Sequence, residues 1–126
     1  MLLLPQNLRV FILTEAMDMR RSFDSLAELA KSVLEEDPFS GHLFVFLNRR
    51  RDAVKILQWE ANGFWLHYKR LEKGNFKIPI NKNVARSIEV EPKELSLLLE
   101  GILLDGAQHR VKFFRESVEK VVYENE

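Results

Sequence analysis

Apolar positions along the chain change period several times, and each change predicts an element. Leu8–Leu13 (LRVFIL) is a short run of β-favouring residues and reads as a strand. From Phe23 the apolar residues fall at Phe23, Leu26, Ala27, Ala30, Val33 and Leu34. Glu28, Lys31 and Glu35 lie on the other side, which is the spacing of an amphipathic helix. Asp18 or Ser22 can cap its start by accepting an orphan N–H of the first turn. Asp37-Pro38 predicts its stop, because the residue before a proline avoids the α region. Leu43–Leu47 (LFVFL) has no polar position, so it should sit at the sheet centre or be covered on both faces. A turn at Asn48–Asp52, a strand over Ala53–Trp59, a turn at Ala61-Asn62-Gly63 and a strand over Phe64–Leu71 follow. Asn-Gly is a strong hairpin signal because both residues tolerate positive φ. Alternation puts Phe64, Leu66 and Tyr68 on one face and Trp65, His67 and Lys69 on the other.

Beyond this antiparallel meander over residues 42–71 the pattern loosens. Phe76–Ile78 can extend the sheet up to Pro79, residues 80–85 read as loop, and Ser87–Val90 (SIEV) alternates like an edge strand. Pro92 suits the first position of a helix with an apolar stripe at Leu95, Leu98, Leu99 and Ile102, ended by Gly101 or Gly106. In the tail, Val111, Phe114, Val118 and Val121 have helical spacing, with a strand over Arg110–Phe114 as the competing reading. The sum is an α+β fold: a mainly antiparallel sheet, made of the meander, an N-terminal strand and an edge strand at 87–90, with two or three helices. The 126 residues fit one domain, with residues 105–126 as an extension of undetermined structure.

Charge changes this picture more than composition does. Net charge is zero, from 19 basic and 19 acidic residues, but the distribution is uneven. Residues 1–41 hold four basic against seven acidic residues, net −3; residues 42–86 hold ten against three, net +7; residues 87–126 hold five against nine, net −4. A basic centre lies between acidic flanks, and local charge decides what a polyanion meets. The alternative is that basic and acidic segments pair within the fold. Cysteine is absent, which excludes disulfides and thiolate metal sites and suits a reducing cytoplasm, the expected location. The N-terminal MLLLPQNLRVFIL breaks at Pro5-Gln6-Asn7 and lacks a basic leader, so it does not read as a signal peptide. No apolar run approaches the ~18 residues of a membrane span.

The residues carry no catalytic constellation. His42, His67 and His109 have no metal-type spacing, no phosphate loop or nucleophile elbow occurs, and pairs such as Glu35-Glu36 fall on a polar helix face. The chain is therefore not expected to be an enzyme or to need a cofactor or metal. The chemistry that remains is anion recognition. Arg49, Arg50 and Arg51 at a hairpin turn, with Lys55, Lys69, Arg70 and Lys73, are the candidate nucleic-acid contacts. Arg20 and Arg21, before the first helix, either join them or pair with Asp18 or Asp24. Trp59, Trp65 and His67 are candidate stacking residues for unpaired bases, although aromatic residues in strands more often pack in the core.

These stretches also carry a resemblance. VFILTEAMDMRRSFDSLAELA, DPFSGHLFVFLNRRRDAVKILQWEANGFWLHYKRLEKGNF and ELSLLLEGI occur in order from about Val10 to about Ile102. In them the chain resembles the TnpB-type accessory proteins, encoded by the second open reading frame of the insertion sequence sixty-six family of bacterial transposable elements. It departs from that pattern at Ser25, where glycine is usual, and at Ala53, where arginine is usual. It also reads Lys77-Ile78-Pro79 where Trp-Pro is frequent, and its last twenty or so residues have no counterpart. The resemblance implies an accessory role in transposition beside a separate transposase. The implied partners are that transposase and a sister accessory protein. The basic centre adds DNA as an expected partner. The competing reading is a protein-interaction module that docks on those proteins without touching DNA.

Overall fold

The computed structural model describes residues 7–78 and 86–101. Five strands, β1 (Val10–Leu13), β2 (Leu43–Leu47), β3 (Ala53–Glu60), β4 (Gly63–Arg70) and β5 (Ser87–Val90), form one sheet in the order β4-β3-β2-β1-β5. Helix α1 (Phe23–Ser32) joins β1 to β2, and α2 (Pro92–Leu99) follows β5. The sheet is mainly antiparallel, as the pattern predicts. The exception is β1, which runs parallel to β2, Val10 opposite Leu43 and Leu13 opposite Phe46. Parallel neighbours need a crossover connection, and the segment carrying α1 provides it.

The sheet has a core on each face. Phe11, Leu13, Phe44, Phe46 and Leu57 meet Leu26, Ala30 and Leu34 of the α1 region. Val10, Ile12, Val45, Ile56, Ile88 and Val90 meet Leu95 and Leu98 of α2. The fully apolar LFVFL run is thus β2, central in the sheet and buried at every position. Burying the side chain of one such residue is worth roughly 1.5–3 kcal/mol, so these two interiors hold the helices to the sheet.

Several local expectations differ from the structure. Helix α1 stops at Ser32, before Asp37-Pro38, because Glu35 adopts a left-handed φ of 56° and the Glu36 N–H turns back to the Ala30 carbonyl. Ser22 occupies its N-cap position but makes no side-chain capping hydrogen bond, and the Asp18 carboxylate is engaged by Arg20 instead. In the β3–β4 turn the left-handed residue is Ala61 (φ 54°), not Asn62 or Gly63. Glu60 pairs with Gly63, so Ala61-Asn62 is the two-residue loop and Gly63 already belongs to β4. Phe76–Ile78 is not a strand. Phe76 donates its N–H to the Arg51 carbonyl, and Phe76 and Ile78 are buried in the α2-side core. The α2 start matches its prediction, with Pro92 in the first turn and the Glu91 N–H bonded to Glu94 Oε1 at 2.8 Å. Gly101, at φ 85°, supplies the left-handed residue just past its end. Pro79, the 80–85 loop, Ile102, Gly106 and the tail predictions over 108–123 lie outside the described residues.

Candidate nucleic-acid interface

Strand directions collect most of the candidate cations at one end of the sheet. Leu13 and Leu47 end the parallel strands β1 and β2, Ser87 lies opposite Leu13, and Arg70 lies opposite Ala53. The β1–α1 loop with Arg20 and Arg21, the β2–β3 turn with Arg49–Arg51, the β4 exit with Arg70 and Lys73, and Arg86 therefore share that end. Among the described residues the opposite end carries Glu35, Glu36, Asp37, Glu60, Glu89 and Glu91 with Arg9, Lys31 and Lys93. Glu15, Asp18, Asp24, Asp52 and Glu72 also lie at the first end, so the uneven linear charge becomes an excess of cations at one end and of anions at the other.

The β2–β3 turn is held by one side chain. Asn48 Oδ1 accepts the N–H groups of Asp52 and Ala53, both at 3.1 Å, while its amide donates to Asp52 Oδ1 at 2.6 Å. Arg51 closes the turn in the left-handed region at φ 58°. The chain after β4 folds back onto this turn. Leu71 donates to the Asp52 carbonyl, the Asn75 amide to the Arg50 carbonyl and Phe76 to the Arg51 carbonyl. That wrapping returns the segment that contains Lys73 to the arginine turn, and Arg70 lies opposite Ala53 just past it.

The cations differ in what already holds them. Arg20 grips the Asp18 carboxylate at 2.6 Å, and that guanidinium lowers the Asp18 pKa to about 2. Arg21 donates to the Ser25 hydroxyl. Lys55 is 7% exposed, its ammonium bonded to the Arg21 carbonyl at 2.6 Å and 5.0 Å above the Tyr68 ring. Lys69 donates to the Leu99 carbonyl at 2.7 Å. Arg86 pairs with Glu15. Arg51 is half-buried, and desolvation lowers its pKa. Arg49, Arg50, Arg70 and Lys73 are exposed, and none of the ion pairs among the described residues involves them.

The candidate stacking residues are not brought to the arginines. Trp59 sits about 20 Å along β3 from the turn, at 3.3 Å per residue, within an aromatic cluster. Its ring meets Phe39 and Phe64, each at 5.0 Å between centroids. Trp65 and His67 stack on each other at 6.0 Å on the opposite face, and the Trp65 indole N–H bonds Glu60. Burial lowers the His67 pKa. Alternation along the strands predicts this separation of Trp59 from Trp65. The roles of Asn48 and Arg86 carry no comparable signal, since each depends on a partner fixed by the turn or by the β1–β5 pairing.

Among the described residues no group of three or more His, Asp or Glu side chains could hold a metal ion. A shallow cavity of about 620 Å³, lined by residues 7–9 and 89–93, lies at the anionic end, away from the arginine turn. No helix of the described residues is long and apolar enough to cross a membrane.

The fold and charge define a small α/β/α domain whose sheet ends in a cationic rim. Its sequence matches the pattern of the IS66 Orf2-like proteins over residues 8–109, and the chain belongs to that family. Membership ties it to an accessory role in IS66 transposition. Two similar proteins come from Sinorhizobium fredii, both named only as uncharacterised. Protein y4jC is 36% identical over 97 residues, covering 77% of this chain and 81% of y4jC. Protein y4hO is 41% identical over 97 residues, covering 77% of this chain and 83% of y4hO. No solved structure matches the chain significantly.

Proposed function

We propose that the chain is a non-enzymatic transposition factor that contacts DNA through the cationic end of its sheet. The observation that carries this reading is the state of four side chains. Arg49, Arg50, Arg70 and Lys73 are exposed, at the same end of the sheet and without a carboxylate partner among the described residues, while Lys55 is buried on the Arg21 carbonyl, Lys69 bonds the Leu99 carbonyl and Arg20 pairs with Asp18. Unpaired guanidinium groups on a projecting turn suit phosphate oxygens, which set position rather than read sequence. Arg51 and Arg21 flank this group, Lys55 is buried, and the exposed Lys69 is tied to the Leu99 carbonyl. Fluorescence anisotropy with DNA from the element's ends, titrated in salt, tests the reading. Log affinity should fall with log salt, and Arg49/Arg50/Arg51→Ala should reduce the slope by up to about 3. Equal affinity and slope for wild type and variant would sink it.

A second reading, docking on the transposase or a sister accessory protein, is favoured by the exposed edge strand β4 and by the anionic end. A stable complex in nuclease-treated samples, with no DNA affinity of the chain alone, would select it.

A further inference from the structure

Strand β4 is an eight-residue edge with no proline and no bulge: its register against β3 is continuous from Gly63–Glu60 to Arg70–Ala53. Edge strands of this length are normally blocked or paired, because their outward N–H and C=O groups are a template for another strand. The other edge, β5, has only four residues. The direction of the β4 backbone groups follows from one bond. Leu71 donates its N–H to the Asp52 carbonyl at 2.7 Å, in line with the Ala53–Arg70 pairing. Hydrogen-bonded and non-hydrogen-bonded pairs alternate along an antiparallel ladder. Odd-numbered residues of β4 therefore bond inward to β3, and Phe64, Leu66, Tyr68 and Arg70 direct their N–H and C=O outward.

We infer that this edge pairs with the same edge of a second copy, antiparallel and symmetric about His67, to give a dimer with a continuous ten-stranded sheet. One register uses all four outward residues, pairing Phe64 with Arg70 and Leu66 with Tyr68 of the mate. The aromatic first half of the strand then lies against the cationic second half. Trp65, 49% exposed, meets the stem of the mate's Lys69, and Tyr68, 55% exposed, meets Leu66. His67 falls on the two-fold axis. Antiparallel pairing also sets the cationic end of each copy beside the anionic end of the other, with Lys73 near the mate's β3–β4 turn. Such an isologous contact closes after two copies. It does not depend on the DNA reading.

The absence of cysteine makes the register directly testable. At a non-hydrogen-bonded pair on the axis, twin Cα atoms lie about 4.5 Å apart, within disulfide reach, whereas Trp65 is offset from its twin by about 13 Å. His67→Cys in the full chain should oxidise to a covalent dimer, and Trp65→Cys should not. A mutation-free measurement stands beside it. Amide exchange at Phe64, Leu66, Tyr68 and Arg70 of the wild-type chain should slow about tenfold between mostly monomeric and nine-tenths dimeric samples, since only the free fraction opens. Sedimentation should report the same concentration range. Fast exchange at those amides at every concentration, or protection independent of concentration as from a segment of the same chain, would overturn the proposal. A dimer that cross-links through Arg49→Cys instead would also overturn it.

Discussion

Arg20 and Arg49 carry the same charge at the same end of the sheet, yet their surroundings give them different chemistry. The Arg20 guanidinium lies on Asp18, whose carboxylate also accepts the Arg20 backbone N–H at 2.8 Å. Those bonds hold the Asp18 carboxyl near 2, below its ordinary 3.8. A depressed carboxyl contributes stability above its unfolded-state pKa and loses that contribution as pH falls through the folded value. Carbon-detected NMR should therefore find Asp18 titrating near 2, and Arg20→Ala should return the midpoint toward 3.8. An unchanged midpoint in the variant would remove Arg20 as the cause. Asn48 makes a second residue-scale case. Its side chain makes three hydrogen bonds across a part-buried turn, so truncation leaves backbone donors without partners. Asn48→Ala should cost about 1–3 kcal/mol in urea unfolding.

The β3–β4 turn tests the element scale. Ala61 holds a left-handed φ of 54°, which costs an L-residue roughly 1 kcal/mol and glycine almost nothing. Ala61→Gly should leave the register intact and raise stability by up to about 1 kcal/mol in chemical denaturation, and Ala61→Val should lower it. The Asn-Gly signal places this hairpin correctly but assigns the strained residue to the wrong position. Fixing the turn requires the cross-strand pairs Trp59–Phe64 and Gln58–Trp65. The same distinction runs through the fold. LFVFL declares a central strand by itself, and Pro92 declares a helix start. The parallel neighbour of β2 is invisible locally, because that pairing is decided by how α1 packs on Phe11 and Phe44. Phe76–Ile78 has a strand-like composition, but its apolar side chains fill the α2-side core from an irregular segment. Lys55 illustrates the limit for the candidate site. Its charge is legible in the sequence, but not that Arg21, 34 positions away, presents a carbonyl to it.

Across the whole molecule, the separation of charge makes a prediction that linear charge cannot. If total positive charge in residues 42–86 governed DNA binding, any lost cation would weaken it alike. In the folded chain the cations fall into held and unheld sets. Removing a held one costs an existing contact but no counterion release. Arg49/Arg50→Ala should therefore lower the magnitude of the log affinity–log salt slope by about 2, and Arg70/Lys73→Ala by a similar amount. Arg20→Ala should leave the slope unchanged, because its guanidinium is already neutralised by Asp18. Anisotropy titrations of these variants against one duplex, over a single salt series, give the comparison. Equal slope losses for Arg20 and for the exposed pairs would mean that the cationic end acts only through its summed field. A selective loss would mean that individual side chains meet individual phosphates. The fold would then have done the selecting, by the hairpin register that sets Arg70 beside the arginine turn and by the Asp18 contact that withholds Arg20 from it.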